Sequence, residues 1–493
     1  MKNILTTVII CITTMCSAQE VVFENCFTFG TTTNNGDVLG ARDGGYYIAV
    51  NSMQQDSAIV IKFTDLNSEV WRYKLPTREA VIKRLFEDVD GNLYIASAHD
   101  MGSLLTIGQQ SDDICIIKLN SDGGFIWERH FGGTNMDRPT HISENSFGNL
   151  FVTCGGYSED GLFSENHGPG WGDGLVIVVS KETGDLLNSS CIGGSLNDEL
   201  AGAFATDTGM ILIGTSYSND GNMSSFTDVL ATGEFRSFFL ALDIDANVVS
   251  SYAILGNTGN ILSVAPSTNG RYYCAGMSNG QGYVSLVSST GVIWQRLLEP
   301  GMMNRIIATS DGGCLAVGSS EMNNDSIDDG TSLYAFFVKY DDMGNLIWKK
   351  HLGIPGSYVT FASSVTELMS PERNVTAQEY VIGGRTNSGL FGCESSEYGA
   401  WMVRLQDDSV LTTGINAVLS EMFAVYPNPS GDGRITIASP ESMHIRIIDM
   451  HNPTCVVYEK DISKGKIELA LSASPGMYLL TTDRAFCRKI ILQ

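Results

Sequence analysis

The chain has 493 residues, 43% of them apolar and 17% charged, with 53 Gly, 12 Pro and a formal net charge of −25. That length suggests two or three folding units, and the Gly-rich composition points to many tight turns and few long helices rather than to disorder. Nucleic-acid binding is excluded, and an anionic membrane surface disfavoured, because both need clustered Lys and Arg and the sequence has no such cluster.

Residues 1–18, MKNILTTVIICITTMCSA, combine an early Lys2, an apolar run and the small residues Ser17 and Ala18. This pattern predicts a secretory signal peptide cleaved before Gln19. Neither Cys11 nor Cys16 follows the small-residue pattern of a lipid anchor. No other apolar run approaches the roughly 20 residues of a membrane helix, so a transmembrane segment is not expected. Nine of the 11 cysteines lie beyond this leader, an odd number with no CxxC pair. The spacing suggests neither a zinc site nor a redox motif, and disulfide pairing stays open. Cys154, Cys274 and Cys314 fall in strand-like runs, where a cysteine acts as a small apolar residue.

From 19 to 413 the sequence is repetitive. One element is a turn followed by an apolar strand, as in DGGYYIAV (43–50), DGNLYIAS (90–97) and DGGCLAVGSS (311–320), and it occurs seven times at intervals of about 56 residues. A second element, alternating with the first, sets a polar or Gly turn before an apolar pair and often a Trp, as in LNSDGGFIW (119–127) and YDDMGNLIW (340–348). Asp-Gly and Asn-Gly turns supply the positive φ that hairpins need, so each unit reads as a small meander. Repeats of this length predict a β-propeller, with seven blades. A third, Gly-ended element follows most Trp positions, as in ERHFGGTNMD (128–137). Its copy is missing after residue 413, while FTFGTTTNNGD (27–37) precedes the first repeat. The N-terminal strand, about Val21 to Phe29, is therefore expected to complete the seventh blade and leave no bare edge.

Within the repeats, GMSNG (276–280) satisfies G-x-S-x-G, but the following run is another strand rather than a helix, which argues against Ser278 as a nucleophile. Trp71, Trp127, Trp294 and Trp348 read as equivalent packing positions between blades. The acidic loop EMNNDSIDDG (321–330) offers Asp325, Asp328 and Asp329 as oxygen ligands for Ca²⁺, without the spacing of an EF-hand. No catalytic residue or organic cofactor is identified. Paired catalytic carboxylates cannot be picked by spacing, because a propeller gathers its site from different blades.

After about Asp408 the repeat stops. A linker (414–422) leads to short β runs, FAVYPNP, GRITIAS, MHIRIIDM, CVVYEKDI, KIELALS, GMYLLTTD and RKIILQ, that predict a small antiparallel sandwich of immunoglobulin-like design over 423–493. Pro427 and Pro429 fix φ and hold their neighbours extended. Four blocks, Tyr426-Pro427-Asn428-Pro429 with Gly431 and Gly433, IRIIDM ending at Asp449, SASPGMYLL with Gly476 and Tyr478, and the terminal RKIILQ, occur in the order of a known family. The stretch resembles the type A C-terminal sorting domain of the type IX secretion system of Bacteroidota. The resemblance implies that an outer-membrane translocon reads this domain and that the protein, passing through the periplasm, ends up secreted or on the cell surface.

The expectation is an all-β protein, a seven-bladed propeller (19–413) followed by an immunoglobulin-like sandwich. Its expected role is to bind a glycan or protein ligand through one face. The alternative is a secreted glycan-active hydrolase or lyase with its site at the propeller axis.

Overall fold

The computed structural model describes residues 19–27, 33–52, 58–76, 80–99, 114–145, 148–168, 172–206, 208–226, 234–243, 247–254, 259–322, 332–353, 359–368, 378–388, 393, 398–407, 424–426, 434–439, 442–449, 456–463, 465–471, 473–474, 476–482 and 487–492. The leader (1–18) and linker (414–422) lie outside them. The chain divides into two compact units, Met1–Ser409 and Val410–Gln493. Regular structure among the described residues is all β apart from two short 3-10 turns at Gly161–Phe163 and Gly221–Ser225.

In the first unit the described strands form seven antiparallel groups of four. Six groups run in chain order over 33–74, 80–131, 137–192, 198–253, 260–300 and 301–352. The fifth and sixth share one long strand, Gly291–Ala308, whose first part pairs back to Gln281–Ser288 and whose second part, from Gly301, pairs on to Cys314–Met322. The seventh takes Thr360–Glu367, Gln378–Thr386 and Gly399–Asp407 and adds Gln19–Phe27 as its fourth strand, with Gln19 opposite Asp407 and Phe27 opposite Ala400. The first strands of successive groups neighbour one another, and that of the seventh neighbours that of the first, which closes a ring. This is a β-propeller.

The repeated motifs build the contacts between sheets. Trp71, at the outer strand of the first sheet, covers the turn of the second: a Cβ on Gly123, which has φ 81°, would lie 2.7 Å from the indole. The Trp71 Nε1–H donates to the Ser121 carbonyl at 3.2 Å in that same turn. Trp127 meets Gly184, and Trp294 meets Gly344 and donates to the Asp342 carbonyl at 3.0 Å, each time in the next sheet. Positive φ at Gly344 (77°) and the absence of a side chain there serve one purpose, so a methyl at this site would cost at least about 1 kcal/mol. Tyrosines of the second strands lie beside these indoles, Tyr47 by Trp71, Tyr94 by Trp127 and Tyr273 by Trp294. Cys154, Cys274 and Cys314 are buried, as their strand-like surroundings predict.

The buried Lys339 of the sixth sheet is held by Asp311 (2.8 Å) and by Asp407 (3.0 Å), whose Oδ2 also accepts from Trp348 Nε1 at 2.8 Å. A disulfide joins Cys26 of the N-terminal strand to Cys393, with Cα atoms 5.5 Å apart. The ring is thus closed by a hydrogen-bonded ladder and by a covalent bond.

In the second unit, Ala424–Tyr426, Arg434–Ser439 and Gly465–Ala470 make one sheet, and Val456–Ile462, Met443–Asp449, Gly476–Thr482 and Cys487–Leu492 another. Ile435, Ile437 and Leu469 from the first sheet share one core with Ile445, Ile447, Ile462, Tyr478 and Leu480 from the second. Alternate residues of Arg434–Ser439, Met443–Asp449 and Gly476–Thr482 point inward, which is the period-2 pattern of a strand with one face buried.

Candidate functional site at the ring axis

Each of the seven innermost segments carries a β-bulge at the corresponding place. The register slips between Asn35 and Val38, Ile82 and Arg84, Pro139 and His141, Leu200 and Gly202, Ile261 and Ser263, Met303 and Arg305, and Ala362 and Ser364. A bulge leaves a residue out of the ladder and re-aims the side chains beside it. Polar groups at these bulges then tie neighbouring sheets together. Asp37 Oδ2 accepts from Leu85 N at 3.0 Å, Asn51 exchanges two hydrogen bonds with the Ile82 backbone, Ser263 Oγ accepts from Ile306 N at 3.2 Å, and Asn304 donates to the Ala362 carbonyl at 2.7 Å.

Three bulges bring charge-bearing side chains together from the second, third and sixth sheets. They are Arg84, His141 and Arg305, joined by Asp37 from the bulge of the first. The Arg305 guanidinium lies 4.0 Å from Asp37 Oδ2. Burial first, and then the like charge of Arg305, pushes the Arg84 pKa down to about 9, with Asp37 acting the other way. At neutral pH Arg84 therefore remains charged. Burial, reinforced by Arg305 and Arg84, pushes His141 down to about 3, so its imidazole is neutral. Two guanidinium groups thus face one carboxylate, a local positive surplus inside a chain of net charge −25.

The cluster is also short of partners. Arg84 Nε, Arg305 Nε, His141 Nδ1 and Asp37 Oδ1 are buried with no hydrogen bond to the protein. Buried polar atoms are ordinarily paired, and N–H groups of charged guanidinium are the strongest unmet donors a protein carries. Such a set suits a small oxyanion. It offers two fixed donors and a neutral imidazole that can donate or accept according to its tautomer.

Sequence reasoning did not find these residues. Arg84, His141 and Arg305 are separated by long stretches of chain, and only the ring brings them together. A faint signal was available, since each lies a few residues before a repeated turn–strand element. Ser278, by contrast, ends one strand of a tight hairpin, with Asn279 (φ 50°) and Gly280 (φ 78°) at the turn and Gln281 beginning the next strand. The strand-to-helix elbow of a hydrolase is not formed there. Asp325, Asp328 and Asp329 lie outside the described residues.

In the second unit, Tyr426 ends the strand Ala424–Tyr426, and Pro427, Asn428, Pro429, Gly431 and Gly433 fall outside the described residues. Asp449 and Tyr478 stand opposite each other in neighbouring strands, and Gly476 opens the strand that carries Tyr478. The Tyr478 hydroxyl donates to the Ser474 carbonyl at 2.6 Å. Residues 424–493 match the family described as secretion system C-terminal sorting domain. The tail is a sorting domain. It marks the chain for export by the type IX machinery, to the cell surface or beyond. The chain is therefore a type IX-sorted β-propeller protein, and among its described residues no helix is long and apolar enough to cross a membrane.

No curated protein matches the chain. Among solved structures, the chain is similar to the Neurospora crassa Pan2 WD40 domain, at 9% identity and TM-score 0.44, covering 79% of this chain and 96% of that one. It is likewise similar to virginiamycin B lyase from Staphylococcus aureus (7% identity, TM-score 0.44, 77% and 99% covered) and to Drosophila Semaphorin 2a (8%, 0.43, 95% and 97%).

Proposed function

We propose that the protein is an exported binding module, a seven-bladed propeller that takes an acidic group of a glycan or protein ligand onto the arginines at its axis. Its leader (1–18) directs it to the periplasm, and the immunoglobulin-like tail, through Tyr426-Pro427-Asn428-Pro429, Gly431, Gly433, Asp449, Gly476 and Tyr478, engages the outer-membrane translocon. The observation that carries the binding reading is the pair Arg84 and Arg305, each with a buried Nε that the protein itself does not satisfy. Enzymatic hydrolysis of a glycan ordinarily calls for two carboxylates flanking the bond. Among the described residues of this cluster there is one, Asp37, and its Oδ2 is engaged by Leu85 N. Binding is therefore favoured over turnover.

The test is an array of uronate-bearing, sulfated and neutral glycans together with acidic proteins, probed with the purified full chain. Acidic ligands are expected to bind and neutral ones not, with affinity falling as salt is raised. Arg305→Gln should weaken binding about tenfold or more, since a hydrogen bond to a charged group contributes roughly 1.5–3 kcal/mol. Equal retention of neutral glycans, or binding indifferent to Arg305, would sink the proposal. Cleavage of a bound glycan would move the reading to the enzyme.

A further inference from the structure

A second cluster lies away from the axis, on the outer strands of the second sheet. Ile114–Leu119 pairs antiparallel with Phe125–Phe131, placing Cys115 opposite His130 and Ile117 opposite Glu128. Alternate residues of a strand share a face, so Glu128 and His130 project on the same side, and Cys115 joins them from the neighbouring strand. One carboxylate oxygen connects all three: Glu128 Oε1 lies 2.8 Å from His130 Nε2 and accepts from Cys115 Sγ at 3.7 Å. The three ligand atoms lie within 4.8 Å of one another.

We propose that Cys115, Glu128 and His130 form a Zn²⁺ site with one coordination position left for water or a ligand. A sulfur, an imidazole nitrogen and a carboxylate oxygen are the donor types zinc takes. Tetrahedral coordination at about 2.3 Å to sulfur and about 2.0–2.2 Å to nitrogen and oxygen separates ligand atoms by roughly 3.3–3.7 Å. The contacts in the cluster bracket those separations, so only short side-chain movements are needed. Binding would release the thiol proton and leave the imidazole neutral, with Nε2 on the metal. His130 also lines a shallow groove with Phe131, Gly132, Gly133, Gly161, Leu162 and Leu186.

The repeat itself sets this place apart. The sixth sheet puts His351 in the same register after its Trp, but the residue opposite is Phe336, stacked on the imidazole at 4.5 Å, and the carboxylate, Glu299, reaches over from the fifth sheet. Only the second sheet of these two replaces the aromatic ring with a thiol. His351 is thus packed and paired, whereas His130 has a sulfur and a carboxylate ligand on its own sheet.

The experiment uses the full chain, freed of metal with a chelator under non-reducing conditions and titrated with Co²⁺. The expected result is 1:1 binding with a thiolate-to-cobalt charge-transfer band that added Zn²⁺ abolishes. Cys115→Ser should remove the band, and His130→Ala, at a half-exposed position that leaves the fold undisturbed, should weaken binding at least tenfold. Cys154→Ser should change nothing. No band in the unsubstituted chain, a band that survives in Cys115→Ser, or affinity unchanged in His130→Ala overturns the site.

Discussion

Asp198 is nearly inaccessible to solvent, and its Oδ2 accepts from Gly194 N at 2.7 Å and Ser218 Oγ at 2.9 Å. One sheet earlier Asp137 repeats the arrangement with Gly133 N (2.7 Å) and Ser158 Oγ (2.9 Å). Burial nevertheless lifts the Asp198 pKa to about 6, with the nearby charge of Asp173 adding to the rise and the hydrogen bonds opposing it. A carboxyl whose folded pKa exceeds its unfolded one favours the native state while protonated. Its contribution is therefore complete below about pH 4 and is lost as pH rises to about 6, a change of up to about 3 kcal/mol. Asp198→Asn should match the parent chain near pH 4 and exceed it in stability by up to that amount near pH 7, as read from urea midpoints. A difference that stays constant with pH would show that burial does not govern this group.

Among the elements, the hairpins were the most legible in the sequence. Asp-Gly and Asn-Gly turns can hardly be anything else, and Gly91 and Gly123 take the positive φ that such turns require. The position of Trp71, Trp127 and Trp294 was legible for the same reason, because each recurs at a fixed distance from a turn. The bulges were not. A one-residue slip in a strand leaves no compositional mark, and with the bulges went the meeting of Arg84, His141 and Arg305. The Cys115 cluster was hidden by register, since a thiol on one strand and a Glu-x-His on the next become neighbours only once pairing is known. The Cys26–Cys393 bond was equally unreadable from an odd set of cysteines. Its removal in Cys26→Ser with Cys393→Ser should cost roughly 2–5 kcal/mol in unfolding free energy. Native-state hydrogen exchange should then report opening at Gln19–Phe27 and Gly399–Asp407 before the other sheets. Uniform loss of protection around the ring would contradict a local role for the bond.

For the whole molecule, the division into Met1–Ser409 and Val410–Gln493 separates the propeller from the tail that marks it for export. In a bacterium with a type IX system, a chain ending at residue 409 should accumulate inside the cell envelope, and residues 410–493 fused to a folded reporter should carry it out. Fractionation with immunoblotting distinguishes the two, and export of the truncated chain would remove the tail from its role. The acidity of the molecule also sharpens the axis. With a formal net charge of −25 on the chain, anions are repelled in general, so under the proposed function Arg84 and Arg305 are the groups that would draw an acidic ligand.

Closing the ring with its own N-terminal strand imposes an order of events. Gln19–Phe27 is made first, yet the strand it pairs with, Gly399–Asp407, is made last of all the propeller. The chain cannot complete itself sheet by sheet as it emerges; its opening segment must wait, unpaired, until nearly the entire propeller exists. Closure requires a strand near the end of the propeller, and a chain interrupted before it is left with an edge that the finished ring does not have.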